Sequence, residues 1–233
     1  MPDKQDLPVR VSPLLPSSGD FIVDYKNVRL SERKTLTAIQ VLSFNGKHSD
    51  TAAAIATALG IKCSTRPGIV NSDGKIQICW NGPNSWMVVC NDAEAGRTPG
   101  ELFKVLQDAV GDLGTTGDLG TTGDLGTTGD LGTTGDLGTT GNLGAVVDQS
   151  HGRCGLRLSG LHARRVMAKN TAIDLHPRVF GPGQCAMTSV AHMNATVIQV
   201  DNTPTYDLFV IRSLARSFAH AIEHACHEFE SEQ

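Results

Sequence analysis

Residues Leu36 to Gly60 read LTAIQVLSFNGKHSDTAAAIATALG. The first part, to Phe44, is an apolar run of strand length. Ser49 to Leu59 is an alanine-rich run of helix length, with Ser49 placed as N-cap and Gly60 as C-cap. This strand-then-helix order opens a pattern that the chain continues. Lys75 to Trp80 reads as a strand, Asn81, Gly82, Pro83 and Asn84 supply turn chemistry, and Ser85 to Cys90 reads as the antiparallel partner. A helix is expected from Gly100 to Val110, where Leu102, Val105, Leu106 and Ala109 share one stripe.

The order returns downstream. A strand from Cys154 to Leu158 and a helix from Leu161 to Lys169 lead to a long strand near Met187 to Val200, a strand from Tyr206 to Ile211, and a helix from Leu214 to Phe229. Both stretches read β-α-β-β-α. That order predicts an α+β protein made of two ferredoxin-like βαββα units, each a small sheet with its helices on one face. The expected division is an irregular segment at 1–27, a first half at 28–110, an insert at 111–144 and a second half at 145–229.

The insert consists of GDLGTT five times over, closed by GNLG. It holds 12 of the 25 glycines, so it distorts every average taken over the whole chain. A parallel solenoid needs about three repeats of a full coil to bury its core, and five hexapeptides fall short of two coils. Calcium loops concentrate several oxygen ligands within a dozen residues, whereas here one carboxylate recurs every sixth position. Glycine at every third position raises the entropy of ordering beyond what one leucine per copy offsets, so a disordered loop is expected. Its place between the halves is one where extra length costs little closure entropy.

The formal charge of the chain is −4, and the array accounts for five of the acids. What remains is nearly neutral, and its cations occur in no run longer than a pair such as Arg164 and Arg165, which argues against nucleic acid as a partner. Apolar runs such as Trp86 to Cys90 and Leu208 to Ile211 are far below the ~20 residues of a spanning helix. The N-terminal residues carry no apolar signal core, and a cytoplasmic location is expected. The six cysteines contain no CxxC pair, and most are read as buried apolar residues, Cys154 included although it lies close after His151.

The candidate chemistry is sparse. The segment Gly68 to Lys75 misses a phosphate loop both in spacing and in having Ile76 where a magnesium-binding hydroxyl is required. His220, His224 and His227 recur at helical spacing but lie opposite the apolar stripe of Leu214, Phe218, Ile222, Ala225 and Phe229, with Cys226 on the flank, so no metal is assigned. Asp148, Ser150, His151 and Arg153 gather the residue types of a hydrolytic triad. Read as an extended segment they point to alternating sides, so a contact or structural role is expected. Trp80 and Trp86, flanking the hairpin turn, are read as core. No catalytic residue is assigned.

The segment DQSHGRCGLRLSGLHARRVMAKNTAIDLHPRVFGPGQCAMT, Asp148 to Thr188, resembles the gamma subunit of bacterial heterotetrameric sarcosine oxidase. The segments VRLSER at 28–33, WNGPNSWMVV at 80–89 and PTYDLFVIRSLARSF at 204–218 fit the same family. The resemblance implies a fold similar to the folate-binding domain of the glycine cleavage T protein. It also implies alpha, beta and delta subunits as partners, in an assembly that demethylates sarcosine to glycine oxidatively, passes the one-carbon unit to tetrahydrofolate and produces hydrogen peroxide. FAD, FMN, NAD, tetrahydrofolate and zinc are then expected on the other subunits, with none bound by this chain. The matched residues His151, Arg153, Arg157, His176, Pro177 and Arg178 become candidate structural or subunit-contact positions. Two features depart from the pattern: the array, and Leu161 where a proline commonly opens the helix. The alternative is an autonomous folate-binding or aminomethyltransferase-like module.

Overall fold

A computed structural model describes residues 11–14, 21–91, 98–111 and 143–232. The expected disorder of the GDLGTT array falls almost wholly outside these residues. Eleven strands are described: β1 (Val23–Tyr25), β2 (Val28–Glu32), β3 (Leu36–Ser43), β4 (Val70–Ser72), β5 (Ile76–Gly82), β6 (Ser85–Asn91), β7 (Gly144–Asp148), β8 (Arg153–Ser159), β9 (Gln184–Val190), β10 (Met193–Asp201) and β11 (Thr205–Ile211). The α-helices are α1 (His48–Leu59), α2 (Pro99–Val110), α3 (Ala163–Asn170) and α4 (Ala215–Cys226), the last continued by a 3-10 turn over His227–Glu232.

The strands form two antiparallel sheets, ordered β1-β2-β8-β11-β10-β9 and β4-β5-β6-β3-β7. They lie face to face, and each carries its helices on the outer side. Ile39, Val41, Trp86 and Val88 meet Ile55, Leu102 and Leu106 beneath α1 and α2. Leu156, Leu158, Val197 and Leu208 meet Val166, Phe218 and Ile222 beneath α3 and α4. Between the sheets lie Leu36, Ala38, Met87, Val89, Cys185, Ile198 and Phe209. Alternation along β3 explains the layering, since odd and even residues enter different cores. The architecture is therefore mixed α and β in four layers, helix, sheet, sheet, helix.

Strand exchange links the halves. From β2 onward the chain repeats strand, strand, helix, three strands, helix, and the leading strand of each repeat joins the other repeat's sheet: β2 pairs with β8, and β7 pairs with β3. Residues 28–32 and 144–148 thus each pair into the sheet built mainly from the other repeat. Glycine permits both close crossings. A Cβ on Gly144 would stand 1.9 Å from the Leu42 carbonyl oxygen, and one on Gly160, whose φ is +112°, would stand 2.3 Å from that of Asn27.

Several local expectations are corrected. The helix expected from Ser49 starts at His48 after Lys47, so Ser49 is not its cap, whereas Gly60 closes it in the left-handed conformation as expected. The long strand near Met187 to Val200 is two strands joined by a two-residue turn, Ala191 and His192, both at positive φ. Neither residue type signals such a turn, which is why it reads as continuous strand. The helix expected from Leu161 begins at Ala163; Leu161 lies in the preceding turn, 67% exposed. Leu214 is exposed rather than buried, and Cys226 is fully buried rather than on a flank, because a 3-10 turn before α4 leaves Ala215, Phe218, Ile222 and Cys226 on the inner face.

Candidate functional site

The most charged part of the interior lies on the seam between the sheets, where β8 and β11 run side by side. Arg157 and Asp207 are cross-strand partners. The Arg157 guanidinium donates from Nε to Asp207 Oδ1 at 2.7 Å and from Nη2 to Oδ2 at 2.9 Å. Arg33, from the turn between β2 and β3, donates from Nη1 to Oδ2 at 3.0 Å. Asp207 is wholly buried, so two cations meet its one charge and satisfy both carboxylate oxygens. Arg33 also lies 5.7 Å over the Phe209 ring, tying the clamp to the core between the sheets. Farther along, Thr196 Oγ1 donates to Asn81 Oδ1 at 2.9 Å, a fully buried polar link from one sheet to the other.

Two cavities flank Arg33. One, of about 260 Å³, is bordered by Arg33, Arg153, Arg212, Ser150 and the N-terminal residues Val11 to Pro13. The other, of about 410 Å³, is bordered by Phe21, Ser31, Arg33, Asn91 and Arg157. Arg153, Gly155 and Arg157 alternate onto one face of β8, which places both arginines on the seam. Gly155 sits between them with Leu36 and Phe209 against it; a Cβ there would stand 3.0 Å from Leu36 Cδ2.

The residues singled out from the sequence separate into three places. Arg153 and Arg157 share the seam. His151 is exposed on the turn before β8. His176, Pro177 and Arg178 are exposed on the connection from α3 to β9, where the His176 N–H donates to Asp174 Oδ1 at 2.8 Å and the Arg178 N–H donates to His176 Nδ1 at 3.2 Å. Trp86 is fully buried, stacks on His48 with ring centroids 4.8 Å apart, and donates from Nε1 to the Ser64 carbonyl at 2.9 Å. Trp80 is half-buried beside the core between the sheets.

The Asp148, Ser150, His151 cluster forms no relay, for a reason other than the one expected. Residues 150–152 make a turn rather than extended chain. Ser150 is buried, its N–H donates to Asp148 Oδ1 at 2.8 Å, and its Oγ accepts the Ala38 N–H at 3.1 Å. The hydroxyl thus pins the approach to β8 onto β3. Burial pushes the thiols of Cys63, Cys154, Cys185 and Cys226 up to about 12, so at neutral pH they are protonated and poor nucleophiles. His220 lies 3.7 Å from Glu223, and His227 Nδ1 lies 3.1 Å from the Tyr25 hydroxyl. Among the described residues no group of three His, Cys, Asp or Glu side chains is placed to hold a metal ion. No described helix is long and apolar enough to cross a membrane.

Sequence reading missed Asp207 and Arg33. The signal present was an acid in the middle of the otherwise apolar strand TYDLFVI, since a buried carboxylate demands a cation from an adjacent strand.

Residues 137–228 match the family described as "Sarcosine oxidase, gamma subunit family". The resemblance carried by Asp148 to Thr188 is thereby borne out. No curated protein matches the chain. Among solved structures, heterotetrameric sarcosine oxidase from Corynebacterium sp. U-96 in complex with pyrrole 2-carboxylate contains a chain of similar fold, with a TM-score of 0.69 and 23% identity over 95% of this chain and 96% of that one. E. coli aspartokinase III in complex with aspartate and ADP gives 0.39 and 12%, over 85% of this chain and 33% of that one. The regulatory subunit of aspartate kinase from Thermus thermophilus gives 0.38 and 9%, over 88% and 96%.

Proposed function

We propose, from the premise that residues 137–228 carry the sarcosine oxidase gamma subunit family, that this chain is the gamma subunit of a heterotetrameric sarcosine oxidase. Its partners are the alpha, beta and delta subunits, in the cytoplasm. The assembly demethylates sarcosine to glycine oxidatively, transfers the one-carbon unit to tetrahydrofolate and yields hydrogen peroxide, with FAD, FMN, NAD, tetrahydrofolate and zinc held by the other subunits. The family match is the observation that carries this reading.

The role of this chain is accessory. In support, its buried acid is locked between two arginines, four of its thiols are held protonated by burial, and the triad-like serine is spent on a backbone contact. Each half is read as a ferredoxin-like unit. The orders β5-β6-β3-β7 and β10-β11-β8-β2, with two helices on one face of each, support that.

The test is co-purification of the tagged full chain from its source cell. Recovery with yellow flavoprotein partners that oxidise sarcosine is the expected result. A chain recovered alone that binds tetrahydrofolate would replace this reading with an autonomous folate-binding module; one recovered alone without folate binding would defeat both.

A further inference from the structure

At the end of the seam where β8 begins, the 260 Å³ cavity carries, among the described residues, Arg33, Lys34, Arg153 and Arg212 against a single acid, Glu32. Most of these charges are engaged within the chain. Arg33 donates to Asp207, Arg212 Nη2 donates to the Val11 carbonyl at 2.6 Å, and Glu32 accepts the Ser12 hydroxyl at 2.5 Å. The Arg153 side chain has no hydrogen bond or ion pair with any described residue. Burial pushes its guanidinium below the ordinary value, and no neighbouring charge offsets that. A half-buried guanidinium presents five donors in a planar fork, which donates two parallel bonds to the oxygens of a carboxylate or a phosphate.

The surroundings favour a carboxylate brought by protein. Ile211, directly across from Arg153 in the β8–β11 register, is 48% exposed, and Val11 at the rim is 52% exposed. Apolar side chains left open beside an arginine without a partner among the described residues have the composition of an interface centre. We propose that this cavity receives an Asp or Glu side chain of a neighbouring subunit, with Arg153 taking the carboxylate as a bidentate pair while Ile211 and Val11 pack against the incoming chain. The inference rests on the proposed subunit role.

The test uses the full chain with Arg153→Gln, Arg153→Glu and Arg153→Lys. Each variant is melted alone and titrated against the co-purified partner subunits. Arg153→Gln alone is expected to melt at or above the parent temperature, since it removes a desolvated charge that has no partner among the described residues. In assembly, Arg153→Glu is expected to bind at least about tenfold more weakly, with Arg153→Lys intermediate because an ammonium cannot bind in the same fork. A lower melting temperature for isolated Arg153→Gln would show that the arginine is paired within its own chain, overturning the proposal. So would a parent that assembles while all three variants assemble equally well. Binding of free acetate that depends on Arg153, with assembly indifferent to the substitutions, would assign the cavity to a small carboxylate and also overturn it. A parent that fails to assemble would defeat the subunit reading and this inference together.

Discussion

Asp207 takes both arms of the Arg157 guanidinium, Oδ1 at 2.7 Å and Oδ2 at 2.9 Å, from a position with no exposure to solvent. The two residues face each other across β11 and β8, and Arg33 closes the carboxylate from the β2–β3 turn. The acid is buried, whereas the Arg157 side chain is 41% exposed, so the consequences of breaking the clamp depend on which partner is removed.

Removing both arginines strands a buried charge. Arg33→Ala with Arg157→Ala is expected to lower unfolding free energy by about 3–5 kcal/mol, the cost of an uncompensated buried ion. Asp207→Ala is expected to cost less, about 1–3 kcal/mol, because the remaining Arg157 reaches water. Urea unfolding of both variants beside the parent measures the asymmetry; equal losses would contradict it.

The strand crossings depend on two glycines. Gly160→Ala puts a Cβ 2.3 Å from the Asn27 carbonyl oxygen at a φ of +112°, and Gly144→Ala puts one 1.9 Å from that of Leu42. Each is expected to cost more than about 2 kcal/mol, since backbone lies on both sides of the contact. Gly46→Ala, with nothing within 4 Å of its Cβ but a φ of +77°, is the control for conformational strain alone and is expected to cost less.

The β9–β10 turn is suboptimal. Ala191 and His192 sit at φ of +49° and +64°, a conformation that Asn-Gly adopts readily. Replacing the pair by Asn-Gly is expected to raise stability by about 0.5–1 kcal/mol, readable as a higher urea midpoint with unchanged slope.

Stability is expected to fall in alkali. The thiols of Cys154 and Cys185 ordinarily ionise near 9.0 and are pushed up to about 12 in the folded chain. A raised thiol value means the folded state favours the proton. This contribution is therefore whole below pH 9, and lost as pH rises from 9 towards 12. Cys154→Ala should make the decline between pH 9 and about 10.5 shallower by up to about 1.4 kcal/mol per pH unit. An unchanged slope would refute the assignment.

The array joins points that already touch. The Leu143 N–H donates to the Val110 carbonyl at 2.9 Å, so the end of α2 and the start of β7 are adjacent without it. Replacing residues 112–142 by a short Gly-Ser linker is expected to move Tm by less than roughly 4 °C, equivalent to about 1 kcal/mol. Subunit assembly should be unchanged; a larger drop, or lost assembly, would give the array a structural role.

The strands β3, β5 and β6, both helices of the first half, and Gly60 as a helix end were legible because period and capping chemistry are local. So was the repetition of one element order. The β9–β10 turn was not, because Ala-His lacks the residue types that mark a positive-φ pair. Nor was the inward position of Cys226, which depends on how a 3-10 turn rotates the start of α4.

The sequence by itself determined strands β3, β5, β6, β8 and β11, the four α-helices to within a few residues, the recurrence of a similar order on either side of the array, and the family resemblance carried by Asp148 to Thr188; it left β1, β2, β4 and β7 unread. Tertiary structure alone decided that β2 and β7 exchange sheets, that Asp207 pairs with Arg157 and Arg33, and that Arg153 borders a cavity. The reason is that hydrophobic period says which face of a strand is buried but not which neighbour it will find. Pairing between segments more than a hundred residues apart, such as Arg33 with Asp207, is settled only when the layers pack.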